Sequence, residues 1–180
     1  MKQLLTVIIW ALITQIAMAQ NKKDWANFAK YESANALEEK GQVVFMGNSI
    51  TEGWKTWRPD FFNNNGYIGR GIGGQTSSQM LARFPNDVIA LHPRAVVISA
   101  GTNDIAQNQG FIALEDVLKN IQSMAELART NNIDVYLTSV LPAYEFKWRP
   151  AIKDAAGQIL TLNSMIRAYA EQEGFVYVDY

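Results

Sequence analysis

Three short polar turns carry the side chains of this sequence that could take part in a reaction. Ser49 lies in Gly47-Asn48-Ser49, a glycine-rich run ends at Gly74, and Asn103 lies in Gly101-Thr102-Asn103-Asp104. A serine hydroxyl can attack a carbonyl carbon, and backbone N–H groups together with an asparagine amide can stabilise the oxyanion that develops. A nucleophile beside oxyanion donors is typical of acyl transfer.

Each of the three turns comes directly after a predicted strand. Short apolar runs, rich in β-branched and aromatic residues, occupy positions 43–46, 67–69 and 95–99. Runs of this kind predict buried strands of a parallel sheet. The carboxyl ends of parallel strands share one edge of the sheet, where ligands bind in open α/β folds. The sequence therefore predicts that the three polar turns converge.

Ser49 also has a purely structural interpretation. Serine is a common N-terminal cap of helices, because its hydroxyl accepts a hydrogen bond from a backbone N–H of the first turn. Serines are also common in turns that follow strands. The stretch around Ser49 alone does not decide between a cap and a nucleophile.

The remaining elements alternate in type along the chain. Amphipathic patterns predict four helices, at positions 24–40, from 77 to a break or restart at Pro85, at 111–129 and from Pro150 onward. The first helix is expected to direct Trp25, Phe28 and Leu37 inward. Two further strands are predicted at 135–140 and 175–178. Such alternation predicts one domain, a three-layer α/β/α fold with a five-stranded parallel sheet and helices on both faces.

Aromatic residues are frequent after the first turn, at Trp54, Trp57, Phe61 and Phe62. Large aromatic side chains are mostly buried against one another, so we expect this group to pack. The alternative is that aromatic rings, among them Tyr144 and Trp148, stack on a sugar ring of a ligand.

The residues of the three turns resemble the sequence blocks of the SGNH (GDSL-type) esterases and lipases. Gly47-Asn48-Ser49-Ile50-Thr51, Gly73-Gly74-Gln75-Thr76-Ser77 and Gly101-Thr102-Asn103-Asp104 are similar to the first three blocks. The resemblance covers roughly residues 42–180. It implies a flavodoxin-like fold and hydrolysis of carboxylic esters, with acyl or acetyl groups of lipids or carbohydrates as substrates. It also implies that no metal or organic cofactor is needed.

The resemblance assigns a role to each block. Ser49 would be the nucleophile, and the N–H groups of Ser49 and Gly74 with the side-chain amide of Asn103 would form the oxyanion hole. Asn48 and Asp104 would support these residues. Asn48 stands where the family usually has aspartate, so this position carries no charge here.

The general base is the part of the family pattern that the sequence lacks. The family takes it from an Asp-x-x-His block after the fifth strand, and no such block is present. The only histidine, His92, precedes the third strand, about 15–20 Å from Asn103 at the strand rise of about 3.3 Å per residue. Asp179 lies nearer, but an aspartate without histidine is a poor base for a serine hydroxyl. We therefore expect a C-terminally truncated hydrolase with very low activity by itself.

The N-terminus has the pattern of a signal peptide. Lys2 precedes an apolar run at 4–17, and Ala17-Met18-Ala19 offers a cleavage site of small residues. The run is short for a membrane span, and an uncleaved anchor is the alternative. We expect a signal peptide at 1–19, a helical segment at 20–41 and the esterase domain at 42–180, in a secreted or periplasmic protein with no membrane span after cleavage.

The charge and the cysteine content argue against a nucleic-acid-binding protein and against a disulfide-stabilised fold. The formal net charge is −1 and there is no cysteine. A nearly neutral chain has no basic surface for nucleic acid. Without cysteine, the fold depends on its core and not on disulfides.

The sequence is also compatible with two functions other than ester hydrolysis. Gly69-x-Gly71-x-x-Gly74 fits a dinucleotide fingerprint by spelling, but it follows the second strand and has no acidic partner about twenty residues later. The second alternative is an inactive relative that only binds a glycan or lipid.

Overall fold

The computed structural model describes residues 24–180 and is built on a five-stranded parallel sheet. The strands are β1 Val43–Gly47, β2 Tyr67–Gly71, β3 Ala95–Ile98, β4 Asp134–Thr138 and β5 Val176–Val178. Their order in the sheet is β2-β1-β3-β4-β5, and all neighbours pair in parallel. This architecture confirms the predicted α/β fold with its five-stranded sheet. The predicted signal peptide lies outside the described residues.

Residues 24–180 also form seven α-helices and one 3₁₀ turn, of which the first helix precedes β1 and the others lie between strands. The helices are α1 Ala29–Asn35, α2 Ser49–Trp57, α3 Pro59–Asn65, α4 Ser77–Asp87, α5 Thr102–Ile105, α6 Leu114–Thr130 and α7 Ala155–Glu173; the 3₁₀ turn is Ile89–Leu91. None of these helices is long and apolar enough to cross a membrane.

The main core lies between one face of the sheet and helices α4, α6 and α7. Successive side chains of a strand point to opposite faces, so Val44 and Met46 of β1 share this face. They pack with Val96 and Ile98 of β3 and with the apolar stripes of the three helices. This burial holds β1 and β3 in position, and both strands end at a polar turn.

The opposite face is covered at β1 and β2 by α2 and α3 through an aromatic cluster. Phe45 of β1 lies 5.5 Å from Trp54 and 5.4 Å from Phe62 between ring centroids, in edge-to-face geometry. Phe61 stacks on Trp54 with centroids 4.7 Å apart. The expectation that these aromatic side chains pack is confirmed, except for Trp57, which is 80% exposed.

Toward β3–β5 the same face has no helix over it within residues 24–180. Phe45, Val97, Tyr136 and Val176 form one row across the sheet by their pairing, and none of them is fully buried. An apolar groove of about 260 Å³ runs beside this row and is lined in part by Ile50 of α2. The predicted helices on both faces are therefore found, but they cover this second face only in part.

Three helix predictions were wrong in their bounds. The first helix is only α1, and Trp25, Phe28 and Leu37 are exposed instead of inward. Pro85 does not break α4, because it sits exposed in the last turn, where its missing N–H leaves only one helical bond unmade. Helix α7 begins at Ala155 and not at Pro150, since Asp154 caps it by accepting a hydrogen bond from Gly157 N.

Candidate active site

Ser49 lies at the surface, at the first residue of α2. The N-cap is Asn48, whose Oδ1 accepts a hydrogen bond of 3.0 Å from Ile50 N. Asn48 is buried, whereas Ser49 is exposed. Asparagine and aspartate are equally good N-caps, so the amide at position 48 makes this capping bond without a charge. The structure thus assigns the cap to Asn48 and leaves the hydroxyl of Ser49 at the carboxyl edge of the sheet.

The glycine-rich loop after β2 lies against the first turns of α2. Gly73 N donates a 2.7 Å hydrogen bond to Glu52 Oε2. A Cβ atom at Gly71 would come within 2.2 Å of Glu52 N, and one at Gly73 would lie 3.9 Å from Ser49 Cβ. Close packing on α2 thus accounts for Gly71, and the loop that carries Gly74 runs directly beside Ser49.

The third turn is hydrogen-bonded to the second through Asn103 and Asp104. Asn103 is 4% exposed and donates from Nδ2 to Gln75 O over 2.8 Å. The buried carboxylate of Asp104 accepts from Ser77 N at 3.0 Å and from Ser77 Oγ at 2.6 Å. Burial raises the pKa of the Asp104 carboxyl, while the Ser77 hydrogen bonds oppose that shift. All three predicted turns therefore meet at one edge of the sheet.

Asn108 connects Asn103 with Gly74, and sequence reasoning missed it. Its Nδ2 lies 3.1 Å from Asn103 Oδ1 and 3.1 Å from Gly74 O. An asparagine in a turn after a short helix has no pattern that distinguishes it from an ordinary loop residue. Only its contacts show that it belongs to the site.

Arg83 is a second residue that sequence reasoning missed. Its guanidinium is fully buried and donates from Nη2 to Gly47 O at 3.0 Å and to Arg70 O at 2.8 Å. Nε donates to Gln75 Oε1 at 2.6 Å, and Nη1 to Asp87 Oδ2 at 2.8 Å. Burial lowers the pKa of Arg83, while the Asp87 carboxylate raises it. The Arg83 side chain thus ties the ends of β1 and β2 to the glycine-rich loop through Gln75.

The N-terminal segment also holds the glycine-rich loop. Gln75 Nε2 donates to Ala26 O at 2.7 Å, and Lys30 forms an ion pair with Glu52. The hydroxyl of Tyr31 donates to Gly71 O. The segment predicted as separate from the esterase domain therefore packs directly on the elements of the site.

The described residues place no general base next to Ser49. His92 is exposed at the amino end of β3, on the edge opposite Asn103, with φ +47°. Asp179 follows β5 and is paired with Arg167 of α7. Within residues 24–180, no imidazole or carboxylate hydrogen-bonds to Ser49 Oγ. The same part of the chain contains no group of three or more acidic or histidine side chains that could hold a metal ion.

Comparison with known proteins gives the family. The model of the GDSL-like lipase/acylhydrolase family matches residues 45–180, and the chain belongs to this family. The predicted resemblance to the SGNH/GDSL enzymes is confirmed. No curated protein sequence matches the chain.

Solved structures agree with this family. A Bacteroides fragilis structure described as an acylhydrolase is 54% identical, with a TM-score of 0.87 over 88% of this chain and 79% of that one. A GDSL-like lipase from Bacteroides thetaiotaomicron is also 54% identical, with a TM-score of 0.86 over 87% and 79% of the two chains. An acetyl xylan esterase shares the fold at 24% identity, with a TM-score of 0.64 over 77% of this chain and 76% of that one. By resemblance, the chain is a carboxylic ester hydrolase.

Proposed function

We propose that this protein hydrolyses carboxylic esters through an acyl-enzyme on Ser49. The observation that supports the proposal best is the meeting of three loops: Ser49 at the start of α2, Gly73 and Gly74 beside it, and Asn103 bonded to that loop through Gln75. An exposed serine next to an amide and backbone N–H groups is suited to acyl transfer.

The reaction proceeds in two halves on these residues. Ser49 Oγ attacks the ester carbonyl carbon and gives its proton to a general base, which then protonates the leaving alcohol. The oxyanion accepts hydrogen bonds from the N–H groups of Ser49 and Gly74 and from Asn103 Nδ2. The Asn103 amide has two N–H bonds, and one of them goes to Gln75 O, so the second is left for substrate. Water then attacks the acyl group and releases the acid and free Ser49.

The general base of this mechanism comes from outside the described residues. This part of the proposal is supported by the positions of His92 and Asp179, of which the first lies at the wrong edge and the second is paired with Arg167. The partly uncovered row of Phe45, Val97, Tyr136 and Val176, with the groove that Ile50 lines in part, offers a surface on which a base-bearing segment can pack.

The substrates are acyl or acetyl esters of lipids or carbohydrates, and the protein acts in the periplasm or outside the cell. The signal-peptide pattern at residues 1–19 supports this location. The exposed rings of Tyr144 and Trp148 support a carbohydrate, because such rings stack on sugars.

A labelling experiment tests the nucleophile directly. A fluorophosphonate is expected to react once with the full-length protein and to leave its phosphonyl group on the peptide that contains Ser49, as shown by mass spectrometry. Ser123, exposed on α6, serves as the control serine and is expected to stay unmodified. A protein that binds substrate esters but shows neither labelling nor turnover would instead be the inactive glycan- or lipid-binding relative.

Asn103→Ala is expected to lower kcat by about 10²–10³-fold, because it removes one oxyanion donor. KM is expected to change only a few-fold, since the interaction strengthens as charge develops in the transition state. Steady-state kinetics with a p-nitrophenyl ester measure both constants. An unchanged kcat with a raised KM would contradict the oxyanion role of Asn103.

A further inference from the structure

A chain of side-chain hydrogen bonds runs from the loop between β4 and α7 to the candidate oxyanion amide. Trp148 Nε1 donates to Asn108 Oδ1 at 3.1 Å. Asn108 Nδ2 then lies 3.1 Å from Asn103 Oδ1. Asn103 Nδ2 in turn donates a hydrogen bond to Gln75 O, which is the last acceptor of the chain. The chain joins three loops that are distant in sequence.

The direction of this chain is determined by its two ends. An indole N–H can only donate, so the oxygen of the Asn108 amide must face Trp148 and its nitrogen must face Asn103. A backbone carbonyl can only accept, so Gln75 O requires the Asn103 nitrogen on its side. Both ends therefore select the same orientation of the Asn103 amide, with Oδ1 toward Asn108. The opposite orientation would direct an oxygen, and not an N–H, at the substrate oxyanion.

Asn108 also contacts the loop that carries a second candidate oxyanion donor, the N–H of Gly74. The same Nδ2 that contacts Asn103 Oδ1 lies 3.1 Å from Gly74 O. The backbone N–H of Asn108 donates to Asn103 O at 3.0 Å. Asn108 is thus bonded to the side chain and main chain of Asn103 and to the main chain of Gly74.

We propose that Asn108 is a positioning residue of the oxyanion hole and that Trp148 holds it in its working orientation. The role in catalysis that we assign to Asn108 rests on the proposed function. Trp148 packs against the buried ring of Phe146 with centroids 5.1 Å apart, yet its own side chain is 56% exposed. A group of the substrate that contacts Trp148 therefore acts through Asn108 on the amide of Asn103.

The test replaces Asn108 by the isosteric aspartate in the full-length protein. Asn108→Asp keeps an acceptor for Trp148 but loses the donor to Asn103 and Gly74. We expect kcat to fall by about tenfold to 10²-fold, the range that a small misplacement of a catalytic group costs. KM and the melting temperature are expected to change little. The matched control is Asn131→Asp, the same exchange at the exposed C-cap of α6, on the opposite edge of the sheet; it is expected to leave kcat unchanged.

The pH dependence separates positioning from a general structural defect. When the new carboxyl group is protonated, it can donate to Asn103 Oδ1 again. The ratio of the Asn108→Asp kcat to the wild-type kcat is therefore expected to rise as the pH falls from about 8 to about 5, toward the carboxyl pKa. A constant ratio, or a wild-type kcat in the variant, would overturn the proposal.

Trp148→Phe tests the outer end of the chain. This exchange removes the Nε1 donor but keeps an aromatic ring against Phe146. We expect kcat to fall by less than about tenfold, as for the loss of one hydrogen bond between neutral groups. Unchanged kinetics would restrict the role to Asn108 and overturn the part assigned to Trp148.

A direct readout does not depend on activity. In protein labelled with ¹⁵N, Asn108→Asp is expected to shift the side-chain amide signals of Asn103, whereas Asn131→Asp is not. Unshifted signals would overturn the hydrogen-bond chain. A wild type without ester turnover would instead contradict the proposed function, and these signals would still decide whether the chain exists.

Discussion

Replacing Ser49 with alanine is expected to lower kcat for ester hydrolysis by about 10⁶-fold, as for removal of the nucleophile in other serine hydrolases. The fold should be unaffected, because the cap of α2 is Asn48 and alanine is a good residue in the first turn of a helix. Ester hydrolysis with p-nitrophenyl substrates and thermal unfolding of the full-length protein measure the two effects separately.

The control for this prediction is a serine exchange away from the site. Ser123 is exposed on α6, where its hydroxyl donates only to Lys119 O of the same helix. Ser123→Ala is expected to keep wild-type kcat. Turnover that survives Ser49→Ala would rule out the acyl-enzyme mechanism, and a lowered melting temperature would show that Ser49 supports the fold instead.

Replacing Arg83 with methionine is expected to lower the free energy of unfolding by about 3–5 kcal/mol, the cost of breaking a buried ion pair from one side. The side chains of Arg83 and Asp87 are almost completely buried. Without the guanidinium, Asp87 loses its ion-pair partner, and the carbonyls of Gly47 and Arg70 lose a donor each. Urea denaturation measures the change. A loss below about 1 kcal/mol, typical of an exposed pair, would contradict the burial of this interaction.

A double exchange separates charge burial from loop anchoring. Replacing a buried ion pair by apolar residues of similar volume is often neutral for stability. We therefore expect Arg83→Met with Asp87→Leu to recover much of the lost stability. Ester turnover is expected to remain reduced, because no donor then joins Gly47, Arg70 and Gln75. Recovery of both properties would show that the guanidinium contributes to the fold alone.

The elements near the site were predictable from local patterns. Short β-branched runs followed by polar turns predicted β1, β2 and β3 and the edge at which Ser49, Gly74 and Asn103 lie. The bounds of α1 and α7 could not be predicted from hydrophobic spacing. The start of α7 depends on capping by Asp154. The extent of α1 could not be read from Phe28 and Leu37, because both side chains are exposed.

The sequence by itself determined the order of strands and helices, the family blocks and the lack of a histidine near Ser49, because these depend on residue type and on distance along the chain. Only the tertiary structure decided that Asn48 is the cap, that Arg83 is buried under the loops and that Asn108 joins Gly74 to Asn103. The last two facts depend on contacts between residues as far as 34 to 36 apart along the chain, and the first depends on the direction of one side chain. Arginine and asparagine are mostly exposed in folded proteins. No local sequence pattern therefore identifies the few that folding places in a buried hydrogen-bond network.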